Sequence, residues 1–203
     1  MPELALILWL SFGLLAIGAR AALQYRRTGS TGLIGISGAL GSAEWLGGVL
    51  FALAIAAGVA APVLDLADLV DPYEDLDTTA VHVTGIVLYA VGLVATLAAQ
   101  LAMGASWRVG VDASERTDLI TTGAFSIVRN PIYSAMIPAL TGIALLVPGP
   151  VSFGAVVALV AALEMQTRLV EEPYLLHVHG DAYAAYAARV GRFLPRIGRI
   201  GAA

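Results

Sequence analysis

The sequence predicts an all-α integral membrane protein with about five transmembrane helices and a C-terminal cytoplasmic helical segment. The first observation is composition: 59% of the 203 residues are hydrophobic and only 13% are charged, whereas soluble domains usually carry about 25% charged residues. The second is a series of long apolar runs, and the third is that basic and acidic residues occupy different connecting segments. Together they exclude an ordinary soluble domain.

Five apolar runs approach the length of about 20 residues that a spanning helix needs. The fourth run is the shortest and contains Pro138, which a spanning helix tolerates when its neighbours satisfy the freed carbonyl. Only Pro148-Gly149-Pro150 joins the last two runs, so we expect a tight helical hairpin there. The first basic residue is Arg20, near the end of the first run, so no basic segment precedes this run, which predicts a retained helix and not a cleaved signal. The predicted spans are 3–23, 44–64, 80–103, 132–147 and 151–170.

The basic and the acidic connecting segments are predicted to lie on opposite sides of the membrane. The loop 65–79 has six acidic residues and no basic one, while all eleven basic residues are arginines that five spans would place on the opposite side. Because positive residues favour the cytoplasmic side, we expect a bacterial inner-membrane protein with its N-terminus outside and its C-terminus inside. These arginines are Arg20, Arg26, Arg27, Arg108, Arg116, Arg129, Arg168, Arg189, Arg192, Arg196 and Arg199.

The chain divides into two predicted parts. Residues 1–79 form an N-terminal two-helix membrane part without a recognisable motif, and residues 80–203 form a C-terminal core. The core has two long polar segments, 104–131 and 171–203, which the predicted topology places in the cytoplasm. We therefore expect the working surface on that side. Because the chain has no cysteine, disulfides, thiolate metal sites and cysteine nucleophiles are excluded.

One possible anion site lies at the start of the fourth span. Asn130-Pro131 interrupts the chain there, so Arg129 and Asn130 are predicted to lie at a helix N-terminus. Free backbone N–H groups and the helix dipole favour an anion at that position, and Arg129 suits a carboxylate or a phosphate. The alternative is an interfacial arginine whose side chain extends to lipid headgroups.

A polar face follows near the end of the fifth span. Glu164, Arg168 and Glu171 share one helix face, and Glu172 lies four residues after Arg168. Because an ionisable residue inside a span usually has a partner, Glu164 is expected to pair with Arg168. For Glu164 and Arg168, the alternative to a functional role is a purely structural pair. For Glu171 and Glu172, the alternative is a hydrated helix end.

A helical segment follows, with Tyr183 and Tyr186 three residues apart. It is either an amphipathic helix on the membrane surface or a lid over a ligand. His177 and His179 have no third ligand within sequence reach, so no metal site is expected.

These motifs in this order resemble the isoprenylcysteine carboxyl methyltransferase family, which is related to the phospholipid methyltransferases. The likeness covers roughly residues 85–195. It is carried by Arg129-Asn130-Pro131-Ile132-Tyr133, Glu171-Glu172, Gly180-x-x-Tyr183-x-x-Tyr186 and Phe193-Leu194-Pro195.

The resemblance implies a membrane methyltransferase that binds S-adenosylmethionine in a cytoplasmic pocket, with a lipophilic acceptor entering from the bilayer. Asn130 departs from the histidine of the best-known members, and asparagine does not titrate near neutral pH. By position, the implied cofactor-binding residues are Gly123, Phe125, Arg129, Asn130, Tyr133, Glu172, Tyr183, Tyr186 and Leu194.

The residues themselves are compatible with that chemistry. Arg129 suits the cofactor's carboxylate, and Glu171 or Glu172 suits its amine. Glu171 is the candidate general base for an acceptor that must lose a proton, and Arg108 is the candidate partner for an acidic acceptor group. No nucleic acid or metal is expected. Two alternatives stay open: an NADPH-dependent membrane sterol-type reductase, which has a similar C-terminal half, and a non-enzymatic membrane scaffold.

Overall fold

A computed structural model describes residues 1–36, 38–110 and 118–201, and it confirms the helical membrane fold. Arg116, which the charge pattern assigned to the cytoplasmic side, lies outside the described residues, as does Asp112 of the 104–131 segment. In the described part, strand pairing is limited to the isolated bridges Leu33 with Val109 and Val128 with Gly191. The helices are α1 (Pro2–Phe12), α2 (Arg20–Thr28), α3 (Ala43–Leu66), α4 (Thr79–Ala102), α5 (Pro131–Ala144), α6 (Pro150–Gln166), α7 (Glu172–His179) and α8 (Asp181–Arg189).

Within the residues that the structure describes, four continuous helical stretches are long and apolar enough to cross a membrane, so the chain is a multi-pass membrane protein. Helix α5 has 14 residues, which corresponds to about 21 Å at the usual rise of an α-helix. That is shorter than a hydrocarbon core of about 30 Å, although Leu146 and Val147 stay buried beyond its end. The four stretches are Pro2–Thr28, Ala43–Leu66, Thr79–Ala102 and Pro150–His179.

Polar side chains set the helix boundaries in the apolar sequence. Ser42 caps α3, accepting a hydrogen bond from the Trp45 N–H at 3.2 Å, and Thr78 caps α4 in the same way. In the short α5–α6 connection, Ser152 accepts from the Gly149 N–H at 3.0 Å and donates to the Val147 carbonyl at 2.7 Å. These bonds close the predicted hairpin.

Small residues bring α4 and α5 into close contact. A Cβ added to Gly92 would lie 2.7 Å from the backbone nitrogen of Ala139, and one added to Gly85 would lie 2.5 Å from the Gly142 carbonyl oxygen. Such packing stabilises helix association where lipid removes the usual hydrophobic drive. Helix α3 packs along α6, so the two predicted parts share a contact surface, and the division at residue 79 stays a prediction.

The last spanning stretch continues well beyond the predicted end at residue 170. A π-helical segment, Thr167–Glu171, joins α6 to α7, and the Glu172 N–H bonds back to the Thr167 carbonyl. Pro173 follows and has no N–H to donate, which explains why the regular hydrogen-bond pattern shifts here. The shift matters because π segments change helix register, and Glu171 and Glu172 lie where it occurs.

Candidate functional site

Three segments meet at the arginine-rich end of the helix bundle. They are the start of α5, the junction of α6 with α7, and the chain after α8. The first is positioned by Pro131, which disfavours helical conformation at Asn130, and Asn130 has φ −124° and ψ 62°. The Asn130 carbonyl accepts the first helical bond, from Ser134 N–H at 2.9 Å. Arg129, one residue earlier, is buried.

The Arg129 guanidinium is at the centre of this region. One terminal nitrogen donates to the Ala187 carbonyl at 3.1 Å and to that of Val190. The other donates to Glu172 and, at 3.0 Å, to the Gly198 carbonyl. All four terminal hydrogens are thus used, while Nε is buried without a hydrogen-bond partner in the described structure.

Glu172 joins two arginines in a buried cluster. Arg192 donates to its two carboxylate oxygens from Nε and Nη2, both at 2.8 Å, in the bidentate arrangement that fits a carboxylate. The side chains of Arg129, Glu172 and Arg192 are only 2%, 7% and 11% exposed. The bonds to Glu172 raise the pKa of Arg192. Glu172 is therefore a buried ion-pair partner, which rules out the hydrated helix end for this residue.

The expected pair of Glu164 and Arg168 is present at the edge of this cluster. Arg168 is more than half exposed, and Arg192 approaches Glu164 to 4.0 Å. Glu164 is partly exposed, so the pair lies at the border of the bundle.

Backbone bonds hold the chain after α8 against the start of α5. The Arg129 N–H donates to the Gly191 carbonyl at 2.8 Å, and the Asn130 N–H donates to the Arg192 carbonyl at 3.1 Å. The Asn130 side-chain amide also donates to the Arg192 carbonyl, at 3.3 Å. Ser134 Oγ donates to the Phe193 carbonyl at 2.7 Å. The segment therefore crosses directly over the helix N-terminus that sequence analysis singled out.

A second polar group lies beside the cluster. Tyr133 Oη donates to Glu171 Oε1 at 2.8 Å, and Arg108 acts electrostatically on the same carboxylate. The Arg108 guanidinium carbon lies 5.6 Å from the centre of the Tyr174 ring, within cation–π range. The adjacent carboxylates at this junction thus have different partners: Glu171 bonds to Tyr133, and Glu172 bonds to two arginines.

Tyr183 and Tyr186 face the protein and not the membrane surface. They are 2% and 5% exposed, and their ring centres are 6.1 Å apart. Tyr186 Oη donates to the Phe125 carbonyl at 2.6 Å, which ties α8 to the turn that begins at Gly123. Burial raises the pKa of Tyr183 and that of Tyr186 to about 12 each. This finding disfavours the membrane-surface interpretation of α8.

Most of the predicted residues thus lie in one region. Leu194 is 57% exposed and lies outside the buried cluster. Gly123 has φ +60°, where glycine is favoured, and opens the turn that contains the buried Phe125. Among the described residues, no three His, Asp or Glu side chains could hold a metal ion. The individual roles assigned to these residues stay predictions.

Sequence reasoning missed two groups of residues. Arg192 was counted only among the cytoplasmic arginines, and no local pattern links it to Glu172, twenty positions earlier. Arg20 and Gln24 on α2 are buried and reach the chain after α4. The signal for Arg20 was available, because it lies inside the predicted span 3–23, where an ionisable residue needs a partner.

Comparisons with known proteins add two findings. A family model described as phospholipid methyltransferase matches residues 80–182, slightly more than half of the chain. The structure is similar to that of a eukaryotic intramembrane Ras methyltransferase, ICMT (isoprenylcysteine carboxyl methyltransferase), with a TM-score of 0.55 and 22% sequence identity. That alignment covers 72% of this chain and 52% of the other, so this chain spans about half its length. At this identity the likeness concerns the fold. No curated protein matches the sequence.

Proposed function

This chain belongs to the phospholipid methyltransferase family, and on that basis we propose that it moves a methyl group from S-adenosylmethionine to a lipophilic acceptor. One observation carries the proposal. The matched residues 80–182 include Arg129, Tyr133, Glu171 and Glu172, whose side chains converge at one end of the bundle. A polar cluster beside spanning helices suits a polar cofactor and an acceptor that arrives through lipid.

The side chains present fit this cofactor. Glu171 accepts a bond from Tyr133 and has lone pairs left for an ammonium group. The unpartnered Arg129 Nε is a donor for a carboxylate, whereas the terminal nitrogens of Arg129 are already engaged. Asn130, whose amide reaches the Arg192 carbonyl, contributes hydrogen bonds and no proton transfer. We therefore assign Glu171 to the amine and treat Arg129 mainly as the support of the site.

When bound, S-adenosylmethionine supplies a sulfonium methyl group that bonds to the acceptor's nucleophilic atom while the carbon–sulfur electron pair stays on sulfur. The protein's contribution is alignment and exclusion of water. For an amine acceptor, a proton must also leave, and Glu171 is the base within reach of this region. For a carboxylate acceptor, no proton is released, and Arg108 would hold the acidic group.

The proposed orientation follows from the charge pattern. The arginine-rich end of the bundle would face the cytoplasm and the acidic loop between α3 and α4 the outside, in a bacterial inner membrane. The site would then lie where both a water-soluble cofactor and a membrane-embedded acceptor are available.

Calorimetric titration of the purified protein in detergent with S-adenosylhomocysteine, and with NADPH in parallel, tests the function. We expect saturable binding of S-adenosylhomocysteine alone. Glu171→Gln should weaken it roughly 10- to 100-fold, the value of a charge-assisted hydrogen bond, and Glu74→Gln in the exposed acidic loop should not. Binding of NADPH alone would instead support the reductase alternative. Binding of neither compound would support the non-enzymatic scaffold.

Transfer of a radiolabelled methyl group then distinguishes the acceptors. Phosphatidylethanolamine vesicles offer an amine, and an S-isoprenylated cysteine offers a carboxylate. If the amine is the acceptor, Glu171→Gln should lower the maximal rate even at saturating cofactor, because the base is lost. If the carboxylate is the acceptor, the effect should be confined to cofactor affinity.

A further inference from the structure

The region around Arg20 contains a buried cation that the proposed function does not use. Arg20 is 3% exposed and lies on α2, outside the residues that the family model matches. Its terminal nitrogens donate to Gln24 Oε1 at 3.0 Å and to the Gly104 carbonyl at 2.6 Å. Its guanidinium carbon lies 4.5 Å from the centre of the Trp107 ring. These partners are neutral, so burying the charge here costs more than in a salt bridge.

The segment 104–110, which we call the Arg108 segment, is held from several directions. Gln24 donates to the Ala105 carbonyl at 2.6 Å, next to the bond from Arg20 to Gly104. Trp107 is 2% exposed beneath the Arg20 guanidinium. The α2–α3 connection supplies a third attachment, since Val109 N–H donates to the Gly32 carbonyl at 2.7 Å. These three attachments all come from the N-terminal part of the chain.

The close fit of Gly32 against Trp107 points the same way. Gly32 has φ +70°, and a Cβ there would lie 3.0 Å from the Trp107 carbonyl oxygen and 3.2 Å from its ring. The connection therefore lies directly against the Arg108 segment, with no space for a side chain between them.

Arg108 stands between two of these held residues, Trp107 and Val109. Its guanidinium lies over the Tyr174 ring and acts on Glu171. A long arginine side chain reaches one place reproducibly only when its backbone is fixed. The N-terminal part fixes that backbone, and the core supplies the surface that the guanidinium meets.

We propose that Arg20 and Gln24 are positioning residues that hold Arg108 over Tyr174, so that α2 is a component of the active site. The part about catalysis rests on the proposed function, in which Arg108 contacts the acceptor. The part about geometry does not, because it concerns the contacts of Arg108 within the folded protein.

Fluorine NMR of protein labelled with fluorotyrosine tests the geometry directly. The chain has seven tyrosines, and Tyr174→Phe identifies the Tyr174 signal. Arg108→Ala gives the signal position when no guanidinium lies over the ring. We expect Arg20→Gln to move the Tyr174 signal toward that position, and Arg26→Gln, at an exposed position on the same helix, to leave it in place. Arg20→Lys, which keeps the cation, should restore part of the wild-type position.

If Arg20→Gln does not fold, Gln24→Leu tests the proposal in its place, because it removes the bond to the Ala105 carbonyl and keeps the Arg20 cation. A Tyr174 signal unmoved in every folded variant at positions 20 and 24 would overturn the proposal.

Methyl transfer to the acceptor identified above supplies the functional test. Arg20→Gln should lower kcat/KM for the acceptor about tenfold, with the affinity for S-adenosylhomocysteine within about twofold of wild type. An equal fall in both would mean that Arg20 supports only the fold, and would overturn its positioning role. If the wild-type protein binds no S-adenosylhomocysteine, the proposed function fails, while the Tyr174 signal still decides whether Arg20 positions Arg108.

Discussion

Removing the Glu172 charge is the sharpest test of the buried cluster. Glu172 accepts from Arg129 and twice from Arg192, and the three side chains are nearly inaccessible. In Glu172→Gln, one oxygen still accepts, but the new amide group meets arginine donors where an anionic oxygen stood. Two buried guanidinium groups then lose their principal counter-charge, since Glu164 lies 4.0 Å from Arg192 and is partly exposed.

Breaking a buried ion pair by removing one partner typically costs about 3–5 kcal/mol, because the remaining charge is uncompensated. For a chain of about 200 residues, 1 kcal/mol lowers Tm by about 2–4 °C, so we expect a fall of about 6–20 °C. Thermal unfolding in detergent, followed by tryptophan fluorescence, measures it. The exposed Glu74→Gln is the matched control and should change the free energy of unfolding by less than about 0.5 kcal/mol.

A Glu172→Gln protein that melts within about 2 °C of the Glu74→Gln control would refute this reasoning. It would mean that Arg129 and Arg192 are stabilised mainly by backbone carbonyls. Arg192→Gln provides an independent check, since it also breaks the bidentate pair but leaves Glu172 bonded to Arg129.

Two further predictions follow from packing and from the buried tyrosines. Gly92→Ala places a methyl group 2.7 Å from the Ala139 nitrogen and should destabilise the protein by about 1–3 kcal/mol. The control Gly154→Ala, where no neighbouring group lies within 4 Å of the added methyl, should be neutral or stabilising. Equal melting temperatures of the two variants would contradict the close α4–α5 contact. Burial raises the pKa of Tyr183 and that of Tyr186 to about 12, from about 10 in the unfolded chain. Each shift contributes up to about 2–3 kcal/mol to the free energy of unfolding. This contribution is complete below pH 10 and is lost as the pH rises through 12. Unfolding free energies across that range, compared with a Tyr183→Phe/Tyr186→Phe double variant, should show a shallower decline in the variant.

Local chemistry in the sequence predicted the positions of the helices well. The predicted span 44–64 corresponds to α3, and 80–103 to α4, each within two residues at either end. These boundaries follow from apolar run length and from capping residues such as Ser42 and Thr78, which are properties of adjacent positions. The end of the last span was less predictable, because a register shift at Thr167–Glu171 continues the helix to His179.

The candidate site was predictable as a set of residues but not as an arrangement. The sequence alone predicts Arg129, Tyr133 and Glu172 as site residues, and in the structure they lie in one region. Their partners were not predictable in the same way. The terminal nitrogens of Arg129 bond to Glu172 and to three backbone carbonyls beyond residue 186, and a backbone carbonyl has no sequence signature.

By itself, the sequence determined that this is a multi-pass helical membrane protein, where its long apolar helices lie, and several of the polar residues of its candidate site. Composition, run length and charge sorting are sufficient for this because lipid excludes unpaired backbone and charge regardless of the partners involved. Only the tertiary structure decided that Glu172 joins Arg129 to Arg192, and that α2 holds the segment containing Arg108. The physical reason is that a buried charge must be compensated, but any nearby dipole, ring or opposite charge can do so. The fold alone determines which of these is near.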